Sequence, residues 1–179
     1  MLRQIPAWLT LITLGVAGQA AAGDREILLH PSSGDPIRVG TLSDGGEDAD
    51  FAVHWDDAKF ADHFLSMRPF KCLEGAEKLW CRVPYPYDNL RRIGGGDLTD
   101  LEYDLMFIWK GAGEYGINMW NGVYYRLSED GERLVGTLHE VDMDILAAPP
   151  EGGNLRPITE ADLEEGDPDS HWLPRLTIE

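Results

Sequence analysis

The chain has 179 residues, 43% of them hydrophobic and 26% charged, with 15 Lys plus Arg against 32 Asp plus Glu and a formal net charge of −17. A surface this acidic repels nucleic-acid phosphates and anionic headgroups, so nucleic acid is not an expected partner. The length suits one ordinary domain with a single core, and two domains are not expected.

Residues 1–22 read as a secretory signal peptide: Arg3 supplies the basic start, residues 8–17 form a short apolar run, and Ala20-Ala21-Ala22 offers a cleavage site. That run is too short for the roughly 20 residues a bilayer-crossing helix needs, and no later apolar run is longer. The expectation is an exported, soluble protein, periplasmic or secreted, with residues 23–179 forming one globular domain and no membrane span after cleavage. Removal of Arg3 with the signal leaves a net charge of −18.

Turn-rich sequence around Pro31-Ser32-Ser33-Gly34-Asp35-Pro36 precedes a strand over residues 37–42. A second strand follows over 49–55, where Phe51, Val53 and Trp55 share one face. Asp56 or Asp57 is then placed to cap a helix running to about Met67, with Phe60, Ala61, Phe64 and Leu65 on its apolar side and Pro69 ending it.

Residues 70–73 and 79–83 read as paired strands that hold the chain's two cysteines, Cys72 and Cys81. Their spacing lets them face one another in a hairpin, and two cysteines in an exported chain favour a disulfide. The spacing matches neither a C-x-x-C redox motif nor common zinc patterns. Residues 59–92 are also the one net-positive stretch, through Lys59, Arg68, Lys71, Lys78, Arg82, Arg91 and Arg92. Those cations either pair with the protein's own acids or present a basic face to a partner.

Pro84 and Pro86 hold Tyr85 in an extended, exposed segment. Arg91 and Arg92 lead into Gly94-Gly95-Gly96, a candidate anion loop that lacks the P-loop Lys-Ser/Thr and the third glycine of G-x-G-x-x-G. The alternation Leu101, Tyr103, Leu105, Phe107, Trp109 predicts a strand over 101–109, apolar on both faces in its second half. Two further strands, 119–127 and 133–141, flank an Asp130-Gly131 turn. Val39-Gly40-Thr41-Leu42 recurs as Val135-Gly136-Thr137-Leu138, and its glycines mark bulges or close backbone contacts. Thr159 is placed to cap a short helix, and residues 172–178 to dock as an edge strand.

The fold expected is α+β: a mainly antiparallel meander with one packed helix and a disulfide-closed hairpin, with a small β-barrel as the alternative. Several groups invite a functional reading. Trp120 between Asn118 and Asn121, with Tyr124, Tyr85 and Tyr87, is a set able to stack on a sugar ring and bond its hydroxyls, while Arg91 and Arg92 supply positive charge. Period-2 alternation puts Glu140, Asp142 and Asp144 on one strand face, an alternative metal stripe that lacks a calcium-loop pattern. His54 and His63, with Asp57 as orienting acid, are the alternative catalytic set, unaccompanied by a nucleophile or metalloprotease motif. No cofactor motif is present. The functional expectation is a non-catalytic module binding an unknown protein or a glycan-like ligand, with a small hydrolase using carboxylate or histidine chemistry as the second class.

Overall fold

The computed structural model describes residues 23–45, 49–66 and 69–179. The signal segment expected over 1–22 lies outside them, as do Met67 and Arg68. Among the described residues strands make up 47% against one six-residue α-helix, so the sheet sets the architecture.

Three strands open the fold: β1 (Asp24–His30), β2 (Ile37–Asp44) and β3 (Ala49–Trp55). A 3-10 turn (Asp57–Lys59) leads to β4 (Ala61–Phe64), β5 (Pro69–Glu74) and β6 (Lys78–Arg82). After β7 (Arg92–Ile93) and the helix α1 (Thr99–Asp104) come β8 (Phe107–Gly111), β9 (Gly122–Asp130) and β10 (Arg133–Val141). The strands β11 (Leu163–Glu165) and β12 (Arg175–Ile178) complete the chain. All pairings are antiparallel, in the order β4-β5-β6-β8-β9-β10-β12-β1-β2-β3-β7, with β11 beside β10. Two meanders, β4 to β10 and β1 to β3, are therefore stitched together by β12.

The sheet curls but is not closed into a barrel, which sets aside the barrel alternative. β3 and β4 are consecutive in sequence yet lie near opposite ends of the sheet, so the short span through the 3-10 turn runs between its two edges. Inside the curl, alternate residues make one core: Ile27, Leu29, Leu42, Phe51, Trp80, Phe107, Tyr125 and Leu176 are all buried there, and Trp55 packs edge-on against Phe107. The opposite faces carry two smaller clusters, one around Tyr103, Tyr124 and Met143, the other around the cysteines, Leu79 and Ile108.

Cys72 and Cys81 are register partners across β5 and β6, with Cα atoms 3.9 Å apart, and form the disulfide. That separation belongs with the closely spaced, non-hydrogen-bonded kind of cross-strand pair. Closing this short loop restricts the unfolded chain by roughly 2.7 kcal/mol on the chain-entropy account. The two recurrent glycines do mark close contacts. A Cβ on Gly40 would lie 2.5 Å from the His54 carbonyl oxygen, and one on Gly136 would crowd Tyr125, Leu127 and Leu176. Gly40 also faces the β-bulge between Ile27 and Leu28.

Three local expectations are corrected. The stretch read as a helix from Asp57 ends its helical turn at Lys59, and Ala61–Phe64 pairs with β5 instead, Ala61 opposite Cys72 and Phe64 opposite Pro69. Phe60 is buried while Phe64 is 77% exposed, so the apolar residues four apart do not share a face. The first half of the strand expected over 101–109 is α1, and only Phe107–Gly111 is extended. The last strand is no edge: β12 sits between β10 and β1, and Pro174 precedes it, where a missing N–H breaks no ladder bond.

Candidate functional site

The tyrosines singled out in the sequence are mostly committed to structure. Tyr87, Tyr85, Tyr103 and Tyr124 form an edge-to-face ladder with ring centroids 5.7, 4.6 and 6.0 Å apart. The hydroxyls of the first three tie down the long segment after β10. Tyr85 donates to the Leu155 carbonyl and Tyr87 to that of Leu146, both at 2.8 Å, while the Ile158 amide donates to the Tyr103 hydroxyl at 2.7 Å. Burial raises the Tyr103 and Tyr124 hydroxyls well above the usual phenol range, and the Glu102 carboxylate adds to the effect at Tyr124. These rings act as pins in the neutral form and are not a free platform.

Glu102, which sequence reading passed over, explains how β9 tolerates a half-empty edge. β8 pairs only with Gly122 and Val123, and α1 lies alongside the rest. The buried Glu102 carboxylate accepts the Leu127 amide at 2.7 Å and the Tyr124 hydroxyl at 2.6 Å, replacing the missing strand partner. It also lines a small polar pocket of about 280 Å³ together with Arg126 and Thr159, where Arg126 is ion-paired with Glu160.

A second network holds the glycine-rich loop. Arg156 donates to buried Asp100 at 2.7 Å and to Asp97 at 2.6 Å, and this guanidinium holds the Asp97 carboxyl down at about 2. Arg91 pairs with Asp104 at 3.1 Å, and Arg92 lies 3.8 Å from Asp50 while its amide donates to Asp100. The two arginines read as a candidate anion loop are thus each matched by an acid.

Three more cations of the basic segment are also engaged within the molecule. Lys71 pairs with Asp62 and Arg82 with Asp57, both at 2.9 Å. Arg82 also stacks 4.7 Å above the Trp55 ring. Lys78 donates to the Ser170 carbonyl and lies over Trp109. These five cations, with Arg91 and Arg92 counted, are engaged by groups of the chain itself.

The alternative catalytic set does not converge. His63 bonds Glu74 at 3.0 Å, Asp57 is occupied by Arg82, and His54 projects from the exposed face of β3. The carboxylate stripe is also divided, because β10 ends at Val141. Glu140 bonds His171 at 2.8 Å, while Asp142 caps the 3-10 turn Met143–Leu146 by accepting the Asp144 amide. Among the described residues no group of three or more His, Cys, Asp or Glu is arranged to hold a metal ion. His171 itself is buried edge-on against Trp80 and tilted against Trp109.

Two surfaces among the described residues are candidates for binding. On the loop between β8 and β9, Tyr115 is fully exposed and Trp120 is 70% exposed. Asn118 fixes that loop by accepting the Trp120 amide in an Asx-type turn, so of the two flanking amides only Asn121 has its side chain uncommitted. Met119 and Ile117, next in line, pack on the cluster around the disulfide, which anchors the loop from beneath. The second surface is a cleft of about 1000 Å³ at the opposite end of the sheet, where β1 begins, β2 ends and β9 turns into β10. Sequence reading placed the Asp130-Gly131 turn but had no signal that β7 and the glycine loop would stand across from it. No family model, curated protein or solved structure matches the chain.

Proposed function

We propose that this chain is a non-catalytic binding module of an extracytoplasmic compartment, periplasmic or secreted, that docks a protein or a glycan-like ligand through the loop carrying Tyr115 and Trp120. The observation that carries the reading is the exposure of Trp120 on a loop with a fixed backbone: a large aromatic ring is held in water although the chain has a core able to bury it. An indole presented this way stacks on a sugar face, with the Asn121 amide at hand for hydroxyls, or inserts into a partner's pocket. The disulfide supports an oxidising location.

The test uses Tyr115→Ala and Trp120→Ala, singly and together. Both side chains are exposed, so stability should move by less than about 0.5 kcal/mol. Intrinsic fluorescence across a glycan and cell-wall fragment panel, and capture of partners from an envelope extract, should both register binding by the native chain and lose it in the double variant. A silent panel together with unchanged capture by the double variant rejects the reading.

A further inference from the structure

The cleft lies far from the aromatic loop. β9 runs from Gly122, beside Trp120, to Asp130 on the cleft wall, and nine residues at roughly 3.3 Å each set the two about 25–30 Å apart. Its volume, about 1000 Å³, is at the upper end for a ligand pocket.

The cleft has an apolar floor and an acidic rim. Ile93, Leu98 and Leu134 form the floor, the latter two buried. Of the cations in the wall, Arg25 lies 3.6 Å from Asp44 and donates to the carbonyls of Glu132 and Ile178, and Arg133 pairs with Asp130. With both matched, Glu129, Glu132 and Glu179 stand exposed around the opening with no ion pair among the described residues. The wall also includes the end of β9, which has no strand partner beyond Val123 on the side away from β10 among the described residues.

We propose that this cleft binds a short basic peptide segment. Its Lys or Arg side chains meet Glu129, Glu132 and Glu179, and an apolar neighbour covers Ile93 and the remaining exposed edges of Leu98 and Leu134. Charge selects the class: the surplus on the rim is negative and sits on a chain of net charge −17, so cationic ligands are drawn in and anionic ones repelled. The floor selects the kind of cation. A bare polyamine has no side chain to lay on the apolar floor at Ile93, whereas alternating basic and apolar side chains satisfy rim and floor together. An extended backbone is also the form that a strand end without a neighbour can pair with.

The experiment is a fluorescence-anisotropy titration of the full chain with a labelled hexapeptide of alternating lysine and leucine. Peptides with glutamate or serine in place of lysine serve as comparisons, and spermidine as a competitor. The lysine peptide should bind, weaken as salt is raised, and outcompete its glutamate and serine counterparts. Glu129→Gln with Glu132→Gln, at two exposed positions, should bind it about tenfold more weakly with an unchanged melting curve. Glu164→Gln with Glu165→Gln, on β11, and Trp120→Ala should bind it as the native chain does. No binding, equal binding of the three peptides, equal binding by the Glu129/Glu132 variant, or displacement by spermidine at the peptide's own concentration each overturns the proposal. Loss on Trp120→Ala also overturns it, by moving the peptide to the aromatic loop.

Discussion

At the scale of single residues, the buried acids bear the most weight. Glu102 satisfies two donors that nothing else reaches, the Leu127 amide and the Tyr124 hydroxyl. Truncation leaves both unpaired in the interior, so Glu102→Ala should lower stability by about 2–4 kcal/mol in urea unfolding. Glu102→Gln keeps an acceptor for the amide and should cost less than half as much. Asp97 gives a pH signature. Its carboxyl is depressed from 3.8 to about 2 by Arg156, so the folded state favours the ionised form. The resulting stability is fully present above 3.8 and fades as pH falls toward 2. Asp97 is half exposed, and solvent screening limits the effect to about 0.5 kcal/mol. Unfolding free energies from urea titrations at pH 5 and pH 2.5 should differ by up to about that much less in Asp97→Asn than in the native chain.

At the scale of elements, the basic segment and the helix show what sequence can and cannot resolve. The central cations divide by burial. Arg82 is only 18% exposed, pairs with Asp57 and covers Trp55 and Phe60, whereas Lys71 and Asp62 are a surface pair. Arg82→Glu should therefore destabilise by about 2 kcal/mol, and Lys71→Glu by less than about 1 kcal/mol, as thermal melts of the two variants would register. The hairpins were legible because their signals are local: Asp130-Gly131 between β9 and β10, and two cysteines at a spacing that lets them face each other. The stretch around α1 was not, because Leu101 and Leu105 fit both periods. Leu98, Leu101 and Leu105 share the main core at helical spacing, while Tyr103, which strand alternation groups with them, turns to the second cluster. The helix expected from Asp57 failed for the complementary reason. Its Phe60 and Phe64 have helical spacing, but an unpaired edge of β5 offered backbone hydrogen bonds that no local pattern announces. The candidate sites followed the same logic: exposure of Trp120 and closure of the cleft are properties of tertiary neighbours.

At the scale of the whole molecule, the charge pattern and topology meet. The acid surplus is not uniform insulation, since the basic segment neutralises part of it internally and leaves the cleft rim and the late segments negative. The sheet is likewise two pieces and one joint. β12 pairs Leu176 with Gly136 on one side and with Leu29 on the other, and places Ile178 between Ile27 and Leu134. Deleting residues 175–179 should leave the disulfide hairpin and the β9–β10 pair able to form but remove the single cooperative unfolding transition, a change that would show as non-coincident near- and far-ultraviolet circular dichroism melts.

That joint also sets a timetable. In a chain delivered amino end first, from a ribosome or through a membrane pore, the strands that open the sequence wait for the strand that closes it. Until then β1 has a partner on one side only. Closure across nearly the full chain carries a large entropic cost before any contact rewards it, which favours slow completion once the whole polypeptide has been released. Completion of the sheet is thereby deferred until β12 has been delivered, some 145 residues after β1.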